Sequence, residues 1–499
     1  MSTALRKATL LGVVALKLAS AKDTPSPNKP IPKPECDDNI NVSIRYNSAS
    51  ARLYVESADG NTRGGCVTLQ QIWEKQGGEV PLYAINPKTG DVSNTATGTW
   101  LLTKEMYVED GITLKVHGKS AGGDADELRL LSTSKTFINL RAYGGSLDFV
   151  STKVFAWDTS KNAPDQNEGD GRSYISAVSE VITDDSQKCS GRAKTDMGEA
   201  RMDIEDSEMA YLGYHGTETY GLTWKVRGFC VDKSNPELFD DVNVYGNIYD
   251  SDIHHNNFGV YTYGHQQGDW RRNKMHDNSV YGFDPHDDSD FLTIHDNEVY
   301  QNGYHGIIAS KRCNGVSIQG NEVYRGASGS AGIFLHRSSD DGIVKGNYVH
   351  DNGDAGMAML ESFDADVADN IFENNQYGVR LSVGCGRNVF SKNVISGSSE
   401  FNTFSYLGSD EPEVSESGRS KDNVFKENTI IGGLESIKIK EADGTQFIDN
   451  SFKDASTIRF VDATKTLMLG NTGLDDSTLK IASGASFDKG SDHGFEPTT

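Results

Sequence analysis

Hydrophobic residues recur in short runs along the second half of the chain, and each run follows an asparagine at a regular interval. The pattern Asn-x-hydrophobic returns at steps of 26, 24, 24, 26, 23 and 23 residues, and after a step of 35 it resumes with steps of 22 and 21. The asparagines of this series are Asn247, Asn273, Asn297, Asn321, Asn347, Asn370, Asn393, Asn428, Asn450 and Asn471.

A glycine followed by an apolar run stands about ten residues after most of these asparagines, as at Gly282-Phe283 and Gly306-Ile307. Self-similarity of fixed period is typical of a solenoid. Short strands with Asn or Gly at the corners favour a parallel β-helix, because both residues tolerate left-handed backbone. We therefore predict an all-β fold, a right-handed parallel β-helix with coils of about 21–26 residues, in which stacked asparagines bond from coil to coil.

The repeat also predicts how the chain is divided. Residues 126–480 are expected to form the β-helix, and residues 36–125 to cover its start. A segment rich in Ser, Glu, Asp and Gly at 398–421 is predicted to be an inserted loop, interpreted as decoration rather than as a lid. Residues 481–499 are expected to be frayed.

The first residues are typical of an export signal. Two basic residues precede the apolar run Ala8–Leu16, and Ala19-Ser20-Ala21 offers a small-residue cleavage site. Residues 1–21 are therefore predicted to be a signal peptide, followed by a Pro-rich linker at 22–35. No later segment approaches the ~20 apolar residues that span a bilayer. We expect a secreted protein, in the cell wall or the medium, with no membrane partner.

Composition and charge narrow the classes of partner. Among 499 residues there are 52 Gly and 12 Pro, which suits many short strands and tight turns. The formal net charge of −24 argues against a nucleic-acid partner, because such binding depends on neutralising phosphates. Any anionic substrate would need a locally basic groove in so acidic a chain.

The six cysteines are expected to behave in two ways. Cys313 and Cys385 lie three asparagine steps apart, which is roughly 14 Å in a stack of coils spaced ~4.8 Å. Bridged Cα atoms are seldom more than about 7 Å apart, so both should be free, buried thiols. Two plausible disulfides are Cys36 with Cys66 and Cys189 with Cys230.

The stretch from Tyr281 to Asp290 concentrates the most chemistry in the chain. It holds a phenol, an imidazole and several carboxylates on one short strand and its exit. Side chains alternate across a strand, so Asp284 and His286 should point the same way. Pro285 between them lacks an N–H for the ladder, an irregularity that functional sites tolerate better than cores.

Counting four or five residues past each coil glycine places further polar groups in line with His286. Equivalent positions of successive coils form a line on the surface because the coils stack in register. The line carries phenol, imidazole, ammonium and guanidinium groups, which is the basic stripe that an anionic polymer requires. Its members are Tyr263, His286, Ser310, Lys311, His336, Arg337, Glu361 and Ser382, with Arg380 beside them.

The motif Tyr281-Gly282-Phe283-Asp284-Pro285-His286-Asp287, set in asparagine coils, resembles the signature of the mannuronan C5-epimerases, which act on alginate. The likeness is greatest to the periplasmic bacterial form and extends over roughly residues 100 to 395. It includes Gly171-Arg172-Ser173, Tyr211-Leu212-Gly213-Tyr214 and His305-Gly306-Ile307-Ile308. The resemblance implies a β-helical enzyme that converts β-D-mannuronate to α-L-guluronate in the polymer, an isomerase whose partner is an anionic polyuronate.

The resemblance also implies roles for individual residues. Epimerisation at C5 needs a charge neutraliser, a base and an acid on the opposite face. His286 would be the base, and Tyr281 its partner on the far face, although the two roles can exchange and a water can complete the second step. Asp284 would orient the imidazole. The neutraliser is either Lys311 or Arg312, since the family's bacterial form has an arginine in the coil after the motif.

A second group of residues is expected to bind the polymer along the groove. Asp287 would support the catalytic loop and is placed with this group. The substrate-binding candidates are Asp287, Tyr263, His305, His336, Arg337, Glu361 and Arg380.

Other functions on the same fold stay open at this point. A polysaccharide lyase makes the same C5 carbanion but expels the C4 oxygen. A glycoside hydrolase needs two carboxylates, for which Asp284 with Asp287 or Asp340 with Asp341 would serve. A non-catalytic polysaccharide-binding solenoid is the third. No zinc spacing or calcium nonapeptide repeat is present in the sequence, so we expect no metal and no cofactor, with calcium dependence open, and a monomer.

Overall fold

The computed structural model describes residues 30–37, 39–60, 63–75, 81–181, 198–228, 242–474, 478–482 and 484–492. Its strands form three long sheets, and each coil of the chain passes through all three in turn. The predicted signal peptide at 1–21, most of the linker, Cys189 and Cys230 lie outside these residues. Within them, no helix is long and apolar enough to cross a membrane.

The first sheet carries the candidate site, and the other two complete each coil. The strands of the first sheet are Val42–Asn47, Arg52–Ser57, Glu105–Val108, Asn139–Tyr143, Tyr174–Val181, Gly221–Gly228, Phe258–Tyr263, Phe283–Asp284, Ile307–Ser310, Ile333–His336, Ala355–Leu360, Tyr377–Ser382, Phe401–Tyr406, Ser420–Lys421, Glu435–Asp443, Thr457–Thr464 and Thr478–Ile481. Those of the second sheet are Gly65–Thr68, Ile112–His117, Ser146–Val150, Arg201–Glu205, Ile248–Tyr249, Asp269–Arg271, Thr293–His295, Ser317–Gln319, Ile343–Lys345, Asp366–Ala368, Val389–Ser391, Val424–Lys426, Gln446–Ile448 and Leu467–Leu469.

The third sheet follows the second in each coil. Its strands are Leu82–Ala84, Thr99–Leu102, Glu127–Thr133, Lys153–Asp158, Glu208–Ala210, Asp252–His254, Lys274–His276, Glu298–Tyr300, Glu322–Tyr324, Tyr348–His350, Ile371–Glu373, Val394–Ser396, Thr429–Ile431 and Ser451–Lys453, with Thr136–Phe137 and Ala163–Pro164 paired at its side. The helical elements are one α-helix, Leu69–Lys75, and the 3-10 turns Lys119–Ala121 and Glu168–Asp170. Neighbouring coils pair in parallel, which confirms the predicted right-handed parallel β-helix.

The core is a set of columns in which equivalent residues of successive coils stack inside the solenoid. In the second sheet one column is fully buried along nine coils. Register keeps each inward side chain above its equivalent, so that apolar area is covered on both sides. The column consists of Trp270, Ile294, Ile318, Val344, Val367, Phe390, Phe425, Phe447 and Met468.

The predicted asparagine ladder is present between the second and third sheets. Asn297 donates from Nδ2 to Oδ1 of Asn321 at 2.9 Å, and its backbone N–H donates to the same oxygen at 3.0 Å. The same pair of bonds repeats from Asn273 through Asn471. Asn247 differs, because its side-chain oxygen accepts from the N–H of Asp269 instead. Each amide is buried and satisfied only when adjacent coils are in register.

A second asparagine ladder, five residues further on, stabilises the turn from the third sheet to the first. Asn278 donates to Oδ1 of Asn302 at 2.9 Å, and Asn352 donates to Oδ1 of Asn375 at 3.1 Å. The sequence analysis overlooked this ladder, although it has the period of the first. It is interrupted at Gly326, whose N–H donates to Asn352.

The N-terminal part begins the solenoid earlier than the expected boundary at residue 126. Strand Thr99–Leu102 already pairs in parallel with Glu127–Thr133, and Gly65–Thr68 pairs with Ile112–His117. The predicted disulfide Cys36–Cys66 is confirmed, with a Cα–Cα distance of 5.6 Å. Cys313 and Cys385 are free and buried, as predicted.

Two boundaries toward the C-terminus also differ from expectation. Strand Phe401–Tyr406 pairs with Tyr377–Ser382, so the inserted loop is shorter than 398–421. The coils continue past residue 481, because Phe487 is buried and meets the ring edge of Phe460 at 5.1 Å. Apolar packing, which composition alone did not reveal, extends the ordered stack at both positions.

Replacing Asn321 with alanine should destabilise the fold. The change leaves the buried amide and N–H groups of Asn297 without an acceptor, and each lost partner costs about 1–3 kcal/mol. We expect a clearly lower Tm in thermal unfolding followed by circular dichroism. The exposed Asn94→Ala serves as the control and should not change Tm. Equal transitions for both variants would contradict a stabilising role of the ladder.

Candidate active site

A cavity of about 530 Å³ opens on the outer face of the first sheet. Its walls come from strands and corners of successive coils, between Tyr220 and Asp410. Seven of the residues singled out from the sequence line it: Tyr281, Asp284, His286, His305, Lys311, His336 and Arg380. Five do not: Tyr263, Asp287, Arg312, Arg337 and Glu361.

The line of equivalent positions predicted from the coil glycines is largely correct. His286 pairs with Ser310, which pairs with His336. Beyond His336 the line continues through Leu360, Ser382 and Tyr406. Leu360 therefore occupies the place predicted for Glu361, because the equivalent position is four residues after Gly356 and Glu361 is five residues after it.

The corners after these strands explain which side chains face the cavity. Two consecutive residues at several of these corners adopt left-handed backbone, as at Lys311 (φ 63°) and Arg312 (φ 62°). Asp287 and Asp288 occupy the same positions one coil earlier. The pair turns its two side chains to different sides, and only Lys311 of these four lines the cavity.

This geometry separates the two candidates for the charge neutraliser. Arg312 donates to Asp288 at 2.8 and 2.9 Å and to Asp287 at 3.1 Å, so its charge is already balanced outside the cavity. Lys311 lines the cavity together with Asp284 and His286. Of the two cations, Lys311 is the one placed to meet an anionic ligand.

His286 is held by a carboxylate on one ring nitrogen. Its Nδ1 makes a hydrogen bond to Oδ2 of Asp287. Burial raises the pKa of Asp287, but the bond from His286 and the charges of Lys311 and Arg312 together lower it below its usual value, so Asp287 is ionised and accepts from Nδ1–H. Burial likewise opposes charge on His286, and the Asp287 bond with nearby Asp284 nevertheless raises its pKa. Nε2 is left as the nitrogen that can exchange a proton with a ligand.

The roles expected for the two aspartates are therefore exchanged. Asp287, expected only to support the loop, orients the imidazole. Asp284 is 1% exposed, and neither of its carboxylate oxygens has a hydrogen-bond partner among the described residues. Burial raises the pKa of Asp284 to about 7, although the charges of His286 and Lys311 lower it. An unpartnered carboxyl of this kind, facing a cavity, is typical of a functional site.

Tyr281 forms one side of the cavity within a group of aromatic rings. Its ring lies parallel to that of His305 at 5.6 Å and meets the edge of Phe258 at 5.0 Å. Burial and the nearby Asp284 raise the pKa of its phenol well above the usual range. Tyr281 therefore keeps its proton at neutral pH.

The sequence analysis missed two tyrosines of the preceding coils. Tyr261 packs against the ring of His286 at 5.6 Å, and Tyr220 packs against Tyr261 at 4.8 Å. Register reveals Tyr261, because it pairs with Asp284 in the next coil. The count from Gly259 followed the position of His286 and therefore selected Tyr263, two residues after Tyr261.

His305 and His336 have lowered pKa values, whereas the pKa of His286 is raised. Nδ1 of His305 accepts the N–H of Ala331 at 3.0 Å, so its Nε2 carries the proton. Burial, with Arg380 and His336 nearby, lowers the pKa of His305 to about 3. Burial and the charge of Arg337 lower that of His336 to about 4. Both rings can donate a hydrogen bond to a ligand without adding charge.

Arg337 and Glu361 were expected to bind substrate, and this is wrong in the structure because they anchor the inserted loop instead. Glu361 is fully buried and accepts the N–H groups of residues 413–415 at 2.7–2.9 Å. Arg337 bonds to Glu361 at 3.1 Å and to the carbonyl of Glu411 at 2.7 Å. The loop contributes Asp410 to the cavity wall, so it is more than decoration.

The remaining candidates divide between the cavity and the scaffold. Arg380 lines the cavity, where Asp354 at 2.7 Å and the hydroxyl of Tyr406 at 3.0 Å fix its guanidinium. Tyr263 lies outside, under the ammonium group of Lys225 at 5.1 Å from the ring centre. No cluster of three or more His, Cys, Asp or Glu residues arranged to hold a metal ion occurs in the described part of the chain.

Comparison with known proteins gives one family model and several relatives. The model described as "Periplasmic copper-binding protein (NosD)" matches residues 215–408, which is less than half of the chain. The mannuronan C5-epimerase AlgG of Azotobacter vinelandii is 27% identical over 365 residues, 66% of this chain and 63% of the relative. A mannuronan C5-epimerase of Pseudomonas aeruginosa is 26% identical over 264 residues, 52% of this chain and 41% of the relative.

Among solved structures, the periplasmic alginate epimerase AlgG superposes with a TM-score of 0.60 at 18% identity, covering 87% of this chain and 84% of that one. This likeness supports the β-helical fold. The chain spans less than two thirds of the length of the first curated relatives that it matches. The resemblance stated from the Tyr281–Asp287 motif is confirmed by these relatives: the chain is similar, over more than half of its length, to proteins named mannuronan C5-epimerase.

Proposed function

We propose that this chain is a mannuronan C5-epimerase, which converts β-D-mannuronate to α-L-guluronate residues within alginate. One observation carries the proposal: Tyr281, His286 and Lys311 line a single cavity, although they come from two different coils. The names and identities of the relatives support it.

Lys311 makes the substrate proton acidic enough to remove. The C5 proton of a uronate lies beside a carboxylate, and loss of that proton creates a second negative charge. An ammonium group in a partly dehydrated cavity stabilises this charge more than water does. Lys311 faces the cavity with no competing carboxylate bond among the described contacts, whereas Arg312 is held by two aspartates.

His286 and Tyr281 then exchange protons with the two faces of C5. In the neutral ring Nδ1–H is held by Asp287, so Nε2 accepts the C5 proton and the C–H bonding electrons pass into the enolate of the carboxyl group. The Tyr281 hydroxyl returns a proton to C5 from the opposite face, and its raised pKa keeps that proton available. Solvent moves the proton from His286 back to Tyr281 and completes the cycle.

The carboxyl pairs that the sequence offered for a glycoside hydrolase are not complete in the cavity. Such an enzyme needs two carboxyl groups facing the scissile bond. Asp287 is bound to His286 and Arg312 and does not line the cavity, and neither do Asp340 and Asp341. A lyase shares the proton abstraction and differs only in the fate of the C4 oxygen, so the products decide between them.

The proposed reaction needs no cofactor, because Lys311 supplies the positive charge. The protein is proposed to act as an exported monomer on its polyuronate substrate. The predicted signal peptide and the periplasmic location named for the structural neighbour support export.

Incubating polymannuronate with the protein in heavy water, in the presence of EDTA, should produce guluronate carrying deuterium at C5. Proton NMR detects this product directly, and the chelator should not reduce it. Olefinic signals instead of guluronate would assign the chain as a lyase. The variant His286→Ala should give no product, with an unchanged Tm.

Lys311→Met should lower kcat by about 10²–10³-fold, because the charge that forms in the transition state loses its partner. The matched variant Arg312→Met should have a much smaller effect on kcat, since Arg312 contacts Asp287 and Asp288 rather than the cavity. Initial rates on polymannuronate measure both. A larger loss for Arg312→Met would exchange the two assignments.

The rate should fall as pH decreases through the pKa of His286, because a protonated imidazole cannot accept the C5 proton. Asp287 raises that pKa, so Asp287→Asn should move the acidic limb of the kcat/KM profile to lower pH. A profile between pH 4 and 9 measures the shift. A limb that stays in place or moves upward would exclude His286 as the base.

A further inference from the structure

A second cavity, of about 330 Å³, lies at the turn from the third sheet to the first. We call it the corner cavity. Strands Glu208–Ala210, Asp252–His254 and Lys274–His276 each end just before it. It is lined by Gln166, Glu168, Arg172, Tyr211, His255 and Ser279.

A carboxylate that is held in place by its neighbours lies in the corner cavity and can accept hydrogen bonds. Glu168 begins the 3-10 turn Glu168–Asp170, and Oε2 of its carboxylate receives Ser279 Oγ at 2.9 Å, Asn257 Nδ2 at 3.2 Å and Arg172 Nη2 at 3.3 Å. The three side-chain hydrogen bonds of Glu168 to described residues all end on Oε2. Arg172 is 3% exposed and balances the carboxylate charge. A charge-balanced acceptor suits the hydroxyl groups of a sugar better than its carboxylate.

Aromatic rings form another wall of the corner cavity. The rings of Tyr211 and His255 stack at 5.0 Å, and the edge of Phe155 supports Tyr211 at 6.5 Å. Tyr211 adopts left-handed backbone (φ 61°), which is uncommon for an aromatic residue and directs its side chain out of the strand. An apolar ring beside a few fixed polar groups is the composition of a carbohydrate-sized binding site.

The corner cavity lies directly beside the catalytic cavity. Asn257, which bonds Glu168, precedes Phe258, which lines the catalytic cavity. Ser279, which also bonds Glu168, stands two residues before Tyr281. Residues next to each other in the chain therefore border the two cavities. A polymer that leaves the catalytic cavity past Phe258 and Tyr281 is directed toward the corner cavity.

We propose that the corner cavity is a distal subsite that binds a hexuronate unit of the same polysaccharide chain. It takes the hydroxyl edge of the sugar on Glu168 and its apolar face on Tyr211. The inference rests on the proposed function for the identity of the polymer. It adds a specificity for chain length, because only oligomers long enough to reach both cavities gain the extra contact.

The test compares Tyr211→Ala with wild type on polymannuronate and on mannuronate trimers. Removing the aromatic wall should raise KM for the polymer about tenfold with kcat unchanged, as expected for loss of one well-packed anchor. KM for trimers that fill the catalytic cavity should not change. Tyr211→Phe should retain wild-type KM, which separates ring packing from any role of the hydroxyl.

Two further variants keep the test decisive. Replacing the exposed His255 with alanine should also raise KM for the polymer. This variant tests the subsite by itself if Tyr211→Ala lowers Tm. Tyr348→Ala, an exposed tyrosine of the third sheet outside both cavities, should leave KM unchanged. An unchanged polymer KM in the His255→Ala and Tyr211→Ala variants overturns the subsite.

Calorimetry in the His286→Ala background separates this inference from the proposed function. Affinity for mannuronate oligomers should increase with length until both cavities are filled, and Tyr211→Ala should remove that increase. Wild-type protein that binds long oligomers through Tyr211 but forms no guluronate would contradict the epimerase and support the subsite. Guluronate formation without any length dependence would do the opposite.

Discussion

The fixed register between coils is the constraint on which the site depends. The polar side chains of the cavity come from several coils, and no local structure brings them together. They include Asp284, His286, Lys311, His336 and Arg380. The asparagine ladders set that register, because their buried amides are satisfied only when neighbouring coils align. A slip of one residue would leave a row of buried donors unpaired and send the cavity side chains to the opposite face. The hydrogen bonds that hold the coils in register therefore also fix the arrangement of the cavity side chains.

The histidines of the cavity differ in pKa because their neighbouring groups differ. His286 lies among carboxylates, which raise its pKa, whereas His305 and His336 lie among cations and buried apolar groups, which lower theirs. One imidazole thus has a raised pKa, and two stay neutral donors. In a chain of net charge −24, Lys311 and Arg380 are the cationic side chains that line this cavity.

The sequence predicted the features that repeat from coil to coil, and it did not predict contacts that depend on individual corners and loops. The Asn-x-hydrophobic period predicted the β-helix and the ladder, and seven of the proposed site residues line the cavity. Tyr261 was missed because the glycine count followed the position of His286, whereas Tyr261 pairs with Asp284, two residues earlier. Arg337 and Glu361 were assigned to substrate because their partners come from a loop whose path no periodicity encodes. The exchange between Asp284 and Asp287 likewise follows from left-handed backbone at Asp287, which a strand-like alternation does not foresee.

The paired left-handed residues at the corners carry a consequence for comparing such chains. Lys311 faces the cavity, whereas the adjacent Arg312 pairs with an aspartate outside the cavity, although both residues are basic. An alignment gap misplaced by one residue would exchange these two basic residues without lowering the similarity of the aligned sequences. What the corner geometry determines is the angular position of a positive charge around the solenoid axis, and column identity in an alignment is a poor measure of that position.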